Sequence, residues 1–129
     1  MLQIKLVSVL VDDQDKALAF YTEKLGFEKV MDFPVGGGLR WITVAAAGRS
    51  DLQLSLEPNA NPVRKAFQEG LFAQGIPATS FESTDLDEDY ERLRGLGVAF
   101  TSPPKDMGPV RTAMLSDTVG NLLMLYQPR

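Results

Sequence analysis

The sequence predicts an α+β fold built from two βαβββ modules, and three observations predict it. A strand-like run, an Asp-capped helix ended by Gly and three further strand-like runs occur twice. The two copies align: Asp13 and Asp15 match Asp85 and Asp87, and Gly26–Phe27 matches Gly97–Val98. The segment between them, 58–75, breaks the pattern. Each copy is one supersecondary unit, as an internal duplication requires. A chain of 129 residues suits one domain, with module one at 1–57, a connector at 58–75 and module two at 76–129.

Residues 4–11, IKLVSVLV, alternate Val7, Val9 and Val11 against Leu6, Ser8 and Leu10, a strand apolar on both faces. Asp12 or Asp13 caps a helix from Gln14, with Ala17, Leu18, Phe20, Tyr21 and Leu25 as its stripe and Gly26 as its C-cap. Strands follow at 27–33, 39–45 and 52–57, joined through Pro34-Val35-Gly-Gly-Gly and a turn at Gly48. In the connector, Val63, Ala66, Phe67 and Phe72, together with Leu71, read as one face of a short helix interrupted at Gly70. The second copy reads as a strand at 78–84, a helix capped by Asp85 carrying Leu86, Tyr90, Leu93 and Leu96, and strands at 98–101, 110–115 and 122–126. Pro103 and Pro104 are expected to end the strand at 98–101, leaving 106–109, DMGP, as a mobile loop.

Composition removes several function classes. There is no cysteine, so disulfides and thiolate chemistry are excluded, in keeping with a cytoplasmic protein. There is no histidine, so any chemistry rests on carboxylates, hydroxyls, amides, Lys or Arg. The net charge is −4 with no basic run, which argues against nucleic acid and is compatible with a cationic small ligand. No apolar stretch is long enough to span a membrane, and the N-terminus lacks the features of a signal peptide. A Walker loop, a GxSxG elbow and a dinucleotide fingerprint are all absent.

VLVDDQDKALAFYTEKLGF (9–27), LRWITV (39–44), FESTDLDEDYERLRGLGV (81–98) and DTVGN (117–121) together resemble the glyoxalase/bleomycin-resistance/dioxygenase, or vicinal oxygen chelate, superfamily. The resemblance implies two modules related by a pseudo-twofold, forming an open barrel-like cleft, and usually a homodimer. It also implies a metal held by four cleft-facing ligands. The matching positions here are Leu6, Ala78, Met124 and either Gln53 or Ser55. Leu and Ala cannot ligate, and Met binds hard divalent ions poorly, so no metal and no cofactor are expected.

The candidate ligand-binding residues are therefore Ser8, Arg40, Trp41, Gln53, Ser55, Glu57, Ser80, Glu82, Arg111, Met124 and Tyr126. Ser8 and Ser80 offer paired hydroxyls. Glu57 and Glu82 offer carboxylates for a cation or for acid–base work. Trp41 reads as a stacking platform or as core, and Arg40 and Arg111 as clamps for a carboxylate or as surface ion pairs. Met124, with Met107 and Met114, gives an adaptable apolar lining or plain core. The sequence is read as a metal-independent small-molecule binder that sequesters an antibiotic or metabolite. The competing reading is a lyase or dioxygenase-like enzyme with atypical ligands, or a cofactor-free enzyme using Glu82, Glu57 or Tyr126.

Overall fold

The computed structural model describes residues 1–129 as two compact units, Met1–Ala66 and Phe67–Arg129. In the first, β1 (Leu6–Val11), α1 (Gln14–Ala19), a π-helical turn (Phe20–Lys24), β2 (Glu28–Gly36), β3 (Leu39–Ala45) and β4 (Gln53–Pro58) follow in order. The helix α2 (Pro62–Ala73) starts in this unit and runs into the next. The second unit holds β5 (Thr79–Glu82), α3 (Leu86–Gly95), β6 (Phe100–Met107), β7 (Val110–Ser116) and β8 (Leu122–Pro128). The sheets have matching orders, β1-β4-β3-β2 and β5-β8-β7-β6. The predicted α+β fold of two βαβββ modules is thus present, each with its own open four-stranded sheet.

The capping signals act as read. Asp13 and Asp85 are extended at the two N-caps and accept from Lys16 N and Glu88 N at 3.0 and 3.1 Å. Alternation decides the faces. Val9, Val11, Ile42, Val44, Leu54 and Leu56 are buried on one side of the first sheet, with Ala17, Phe20 and Tyr21 of the helical segment. In the second unit Ala113, Leu115, Leu123 and Leu125 occupy that side, with Leu86 and Leu93 of α3. Each helix therefore covers one face of its sheet, and the other face is open to function.

Three expectations are corrected. Pro103 and Pro104 do not end β6, which runs on to Met107, so residues 106–107 belong to a strand and only Gly108–Pro109 form the turn. β6 is an edge strand, and its register slips between Ser102 and Lys105, where prolines cost no ladder bond. The helix α2 passes through Gly70 without interruption. Its apolar side is also not its packed side: Val63 and Phe67 are 79% and 61% exposed, whereas Gln68 is buried.

Gln68 is buried because it plugs the turn at 117–121. Its Nε2 donates to Val119 O at 3.0 Å and to Asn121 Oδ1 at 3.2 Å. Beneath it, buried Asp117 accepts from Val119 N, Asn121 N and Asn121 Nδ2 at 3.0, 2.9 and 2.7 Å. The DTVGN motif is thus a carboxylate-centred turn, and a glutamine one helix away seals it.

Candidate functional site

Strand register sets the rows of the open faces, because paired residues point to the same side. In module one, Ser8 pairs with Ser55 and Ser55 with Thr43, which pairs with Met31. In the next row Leu10 pairs with Glu57 and Trp41 pairs with Phe33. The β3–β4 pairing runs only through Thr43–Ser55 and Val44–Leu54, and beyond it the Gln14 amide bridges Arg40 and Leu56, so Trp41 and Glu57 share this face without being paired. Trp41 and Phe33 stack, with centroids 6.4 Å apart and planes 22° apart, and Phe33 is 46% exposed. The face thus offers an aromatic surface and, on the neighbouring strand β4, the Glu57 carboxylate.

The carboxylate is engaged. Ser8 Oγ donates to Glu57 Oε2 at 2.5 Å, and Arg64 Nη1, from the first turn of α2, donates to Glu57 Oε1 at 3.2 Å. Arg64 Nη1 also donates to Pro58 O at 3.3 Å. Gln53 and Ser55 both lie on this face, which is what their pairing with Leu6 and Ser8 dictates. Gln53 Oε1 accepts from Thr43 Oγ1 at 2.7 Å, and Ser55 is buried.

In module two the corresponding rows are Ser80, Met124, Met114, Ser102 and Glu82, Tyr126, Thr112, Lys105. Ser80 and Glu82 are exposed, and Met124 and Tyr126 are half-buried. Glu82 makes no ion pair. Thr112 Oγ1 donates to Met107 Sδ at 3.3 Å.

The two candidate arginines sit on the opposite side, toward the helices. Arg40 is held by Asp15 of α1 and, at 3.0 and 3.1 Å, by Asp32 of β2. Arg111 is held in the same way by Asp87 of α3 and Asp106 of β6, each at 3.0 Å. Hydrogen bonding from Arg40 lowers the pKa of Asp32, against a smaller opposing effect of burial. Hydrogen bonds from the guanidinium to Asp87, then to Asp106, raise that of Arg111. These pairs tie each hairpin to its helix. Gln14 adds to the first clamp by bridging Arg40 O and Leu56 O at 2.7 and 3.0 Å. Apart from the candidate rows, module one carries an open cavity of about 460 Å³ between the start of β2 and the β3–β4 turn. Its one guanidinium, on Arg49, is already paired with Asp51 at 3.1 Å.

The side chains at the expected ligand positions do not fit a metal. Leu6 and Ala78 have no donor, Met124 offers a thioether, and Gln53 is bonded to Thr43. No three acidic side chains, and no His or Cys, gather anywhere else in the chain. Sequence reasoning missed Arg64 and Gln68. Both lie on α2, where the apolar pattern pointed to the wrong face.

Comparison with known proteins agrees with this architecture. The family model for the glyoxalase/bleomycin resistance protein/dioxygenase superfamily matches residues 3–125. The uncharacterized protein YurT of Bacillus subtilis (strain 168) is 46% identical over 127 residues, covering 98% of this chain and 99% of its own. Among solved structures, UcmS2 has 33% identity and a TM-score of 0.83, covering 98% of each chain. TnmS3, an antibiotic binding protein from Streptomyces sp. CB03234, has 34% identity and a TM-score of 0.77, covering 100% of this chain and 98% of its own. With the duplicated βαβββ modules, the matching sheet orders and a family match over almost its whole length, the chain belongs to the glyoxalase/bleomycin resistance protein/dioxygenase superfamily.

Proposed function

We propose that this protein binds a small organic molecule on the open faces of its sheets, independently of a metal, and sequesters it without chemistry. The observation that carries this reading is the Trp41–Phe33 stack, with Phe33 46% exposed, on the same open face as Glu57. A shaped apolar surface with a few polar groups is the usual makeup of a ligand site. The donor-poor family positions and the likeness to an antibiotic binding protein point the same way. No helix is long and apolar enough to cross a membrane.

The test is thermal melting against a panel of divalent metals, thiols, carboxylates and cationic antibiotics. A ligand raises the melting temperature with its concentration, by mass action on the native state. At least one organic compound is expected to do so in the wild type and to lose most of its effect in Trp41→Ala. Divalent metals and a chelator are expected to leave melting unchanged. Stabilisation by a metal at stoichiometric amounts, with no organic ligand found, refutes the reading.

A further inference from the structure

We propose that Gln14 is a positioning residue: its side-chain amide holds the β3–β4 seam of module one open and so sets the separation of Trp41 from Glu57 on the open face. The inference rests on the binding reading above for its functional meaning, and on a comparison of the two modules for its geometry.

The repeat supplies the control. In module two the β7–β8 ladder runs unbroken from Ser116–Leu122 to Val110–Pro128. In module one the β3–β4 ladder is made only at Thr43–Ser55 and Val44–Leu54. Ser55 corresponds to Met124, because each pairs with the serine of its module's first strand, so Pro58 corresponds to Gln127. The capping residue Asp13 corresponds to Asp85, so Gln14 corresponds to Leu86. The interrupted ladder thus has Gln14 and Pro58 where the unbroken one has Leu86 and Gln127.

Chemistry links both residues to the break. Gln53 N and Asn59 N donate to Lys5 O and Val11 O on the β1 side, so alternation turns the backbone of Leu54, Leu56 and Pro58 toward β3. A proline there has no N–H to give Arg40 O. Gln14 supplies the missing donor from the first position of α1. Its Nε2 donates to Arg40 O at 2.7 Å and to Leu56 O at 3.0 Å, and its Oε1 accepts from Arg40 N at 3.0 Å. One amide therefore stands where ladder bonds would form, and it satisfies three backbone groups. Leu86 has no amide to insert and is wholly buried. Trp41 and Glu57 flank the opened stretch, whereas their counterparts Thr112 and Tyr126 are directly paired. The wedge is what keeps the Trp41 ring and the Glu57 carboxylate from closing into a cross-strand pair.

The experiment is amide hydrogen exchange by NMR on the full chain, with acrylamide quenching of Trp41, the only tryptophan. Gln14→Leu should speed exchange at Arg40 N about tenfold, the loss of one partly buried hydrogen bond. Pro58→Gln alone should leave exchange and quenching at their wild-type values, because the Gln14 amide still fills the seam. Gln14→Leu with Pro58→Gln copies module two. In that variant Arg40 exchange should return to the wild-type rate, the backbone amide at position 58 should become protected, and Trp41 quenching should fall as the seam closes. A merely structural brace would change stability without that fall in quenching. Unchanged Arg40 exchange in Gln14→Leu, or a protected amide at position 58 in Pro58→Gln alone, would show that Gln14 does not hold the seam. The two single variants decide this even where the double one does not fold. A folded double variant with undiminished quenching would show that the seam does not set the place of Trp41. None of these readouts involves a ligand, so they are decided apart from the binding reading, which the melting panel tests.

Discussion

Replacing Gly120 with Ala perturbs the seal between α2 and the 117–121 turn at a single atom. A Cβ at Gly120 stands 2.6 Å from Gln68 Nε2 and 2.8 Å from its Cδ. The backbone there has φ of +104°, a conformation that L side chains rarely adopt. The strain costs about 1–3 kcal/mol. Expelling the Gln68 amide also breaks its bonds to Val119 O and Asn121 Oδ1 in a buried setting, another ~1–3 kcal/mol. The expected loss is therefore about 2–6 kcal/mol, from both terms together. A double-mutant cycle separates them. In a Gln68→Ala background there is no amide left to expel, so Gly120→Ala should cost only the strain of about 1–3 kcal/mol. Urea unfolding of the four proteins, with unchanged m-values, measures the cycle. Additivity to within about 0.5 kcal/mol would show that Gln68 does not seal the turn, and the packing argument would fall.

Two further outcomes follow from the same geometry. Asp32 has its pKa depressed by Arg40, so its contribution is present above the ordinary carboxylate range and is lost as pH falls through its lowered value. Asp32→Asn should therefore flatten the acid side of the stability–pH curve and change little in that slope at neutral pH; an unaltered acid limb would show that the pair carries no linkage. The open face of module one leaves Leu6, Phe33, Val35 and Leu39 more than a third exposed. Patches of this kind mark partner or ligand surfaces, so we expect a homodimer, which sedimentation finding only monomer at micromolar concentration would exclude.

What was legible in the sequence was what local chemistry alone determines. The capping aspartates, the terminating glycines and the two-residue alternation placed both module helices and the strands other than β6, and hence the faces on which Ser8, Glu57, Ser80 and Glu82 lie. The prolines of β6 misled because their tolerance depends on whether a strand is at an edge, and sheet order is not local information. The helix α2 misled more deeply. Its apolar stripe marks a buried face only if burial is apolar, and here the buried contact is an amide reaching a turn some fifty residues downstream. The Arg64–Glu57 pair was hidden for a related reason: two opposite charges seven residues apart across a strand end carry no periodic signature.

The matched clamps have a consequence for how such a protein can change. Arg40 with Asp15 recurs as Arg111 with Asp87, whereas the open-face counterparts differ: Leu10 against Glu82, Glu57 against Tyr126, Trp41 against Thr112. The residues that tie hairpin to helix lie on one side of each sheet, and the residues proposed to meet a ligand lie on the other. Substitutions on the open side leave the clamps untouched, so recognition can drift between the two copies while both retain the architecture. A duplicated module organised in this way can acquire new ligands without first losing its fold.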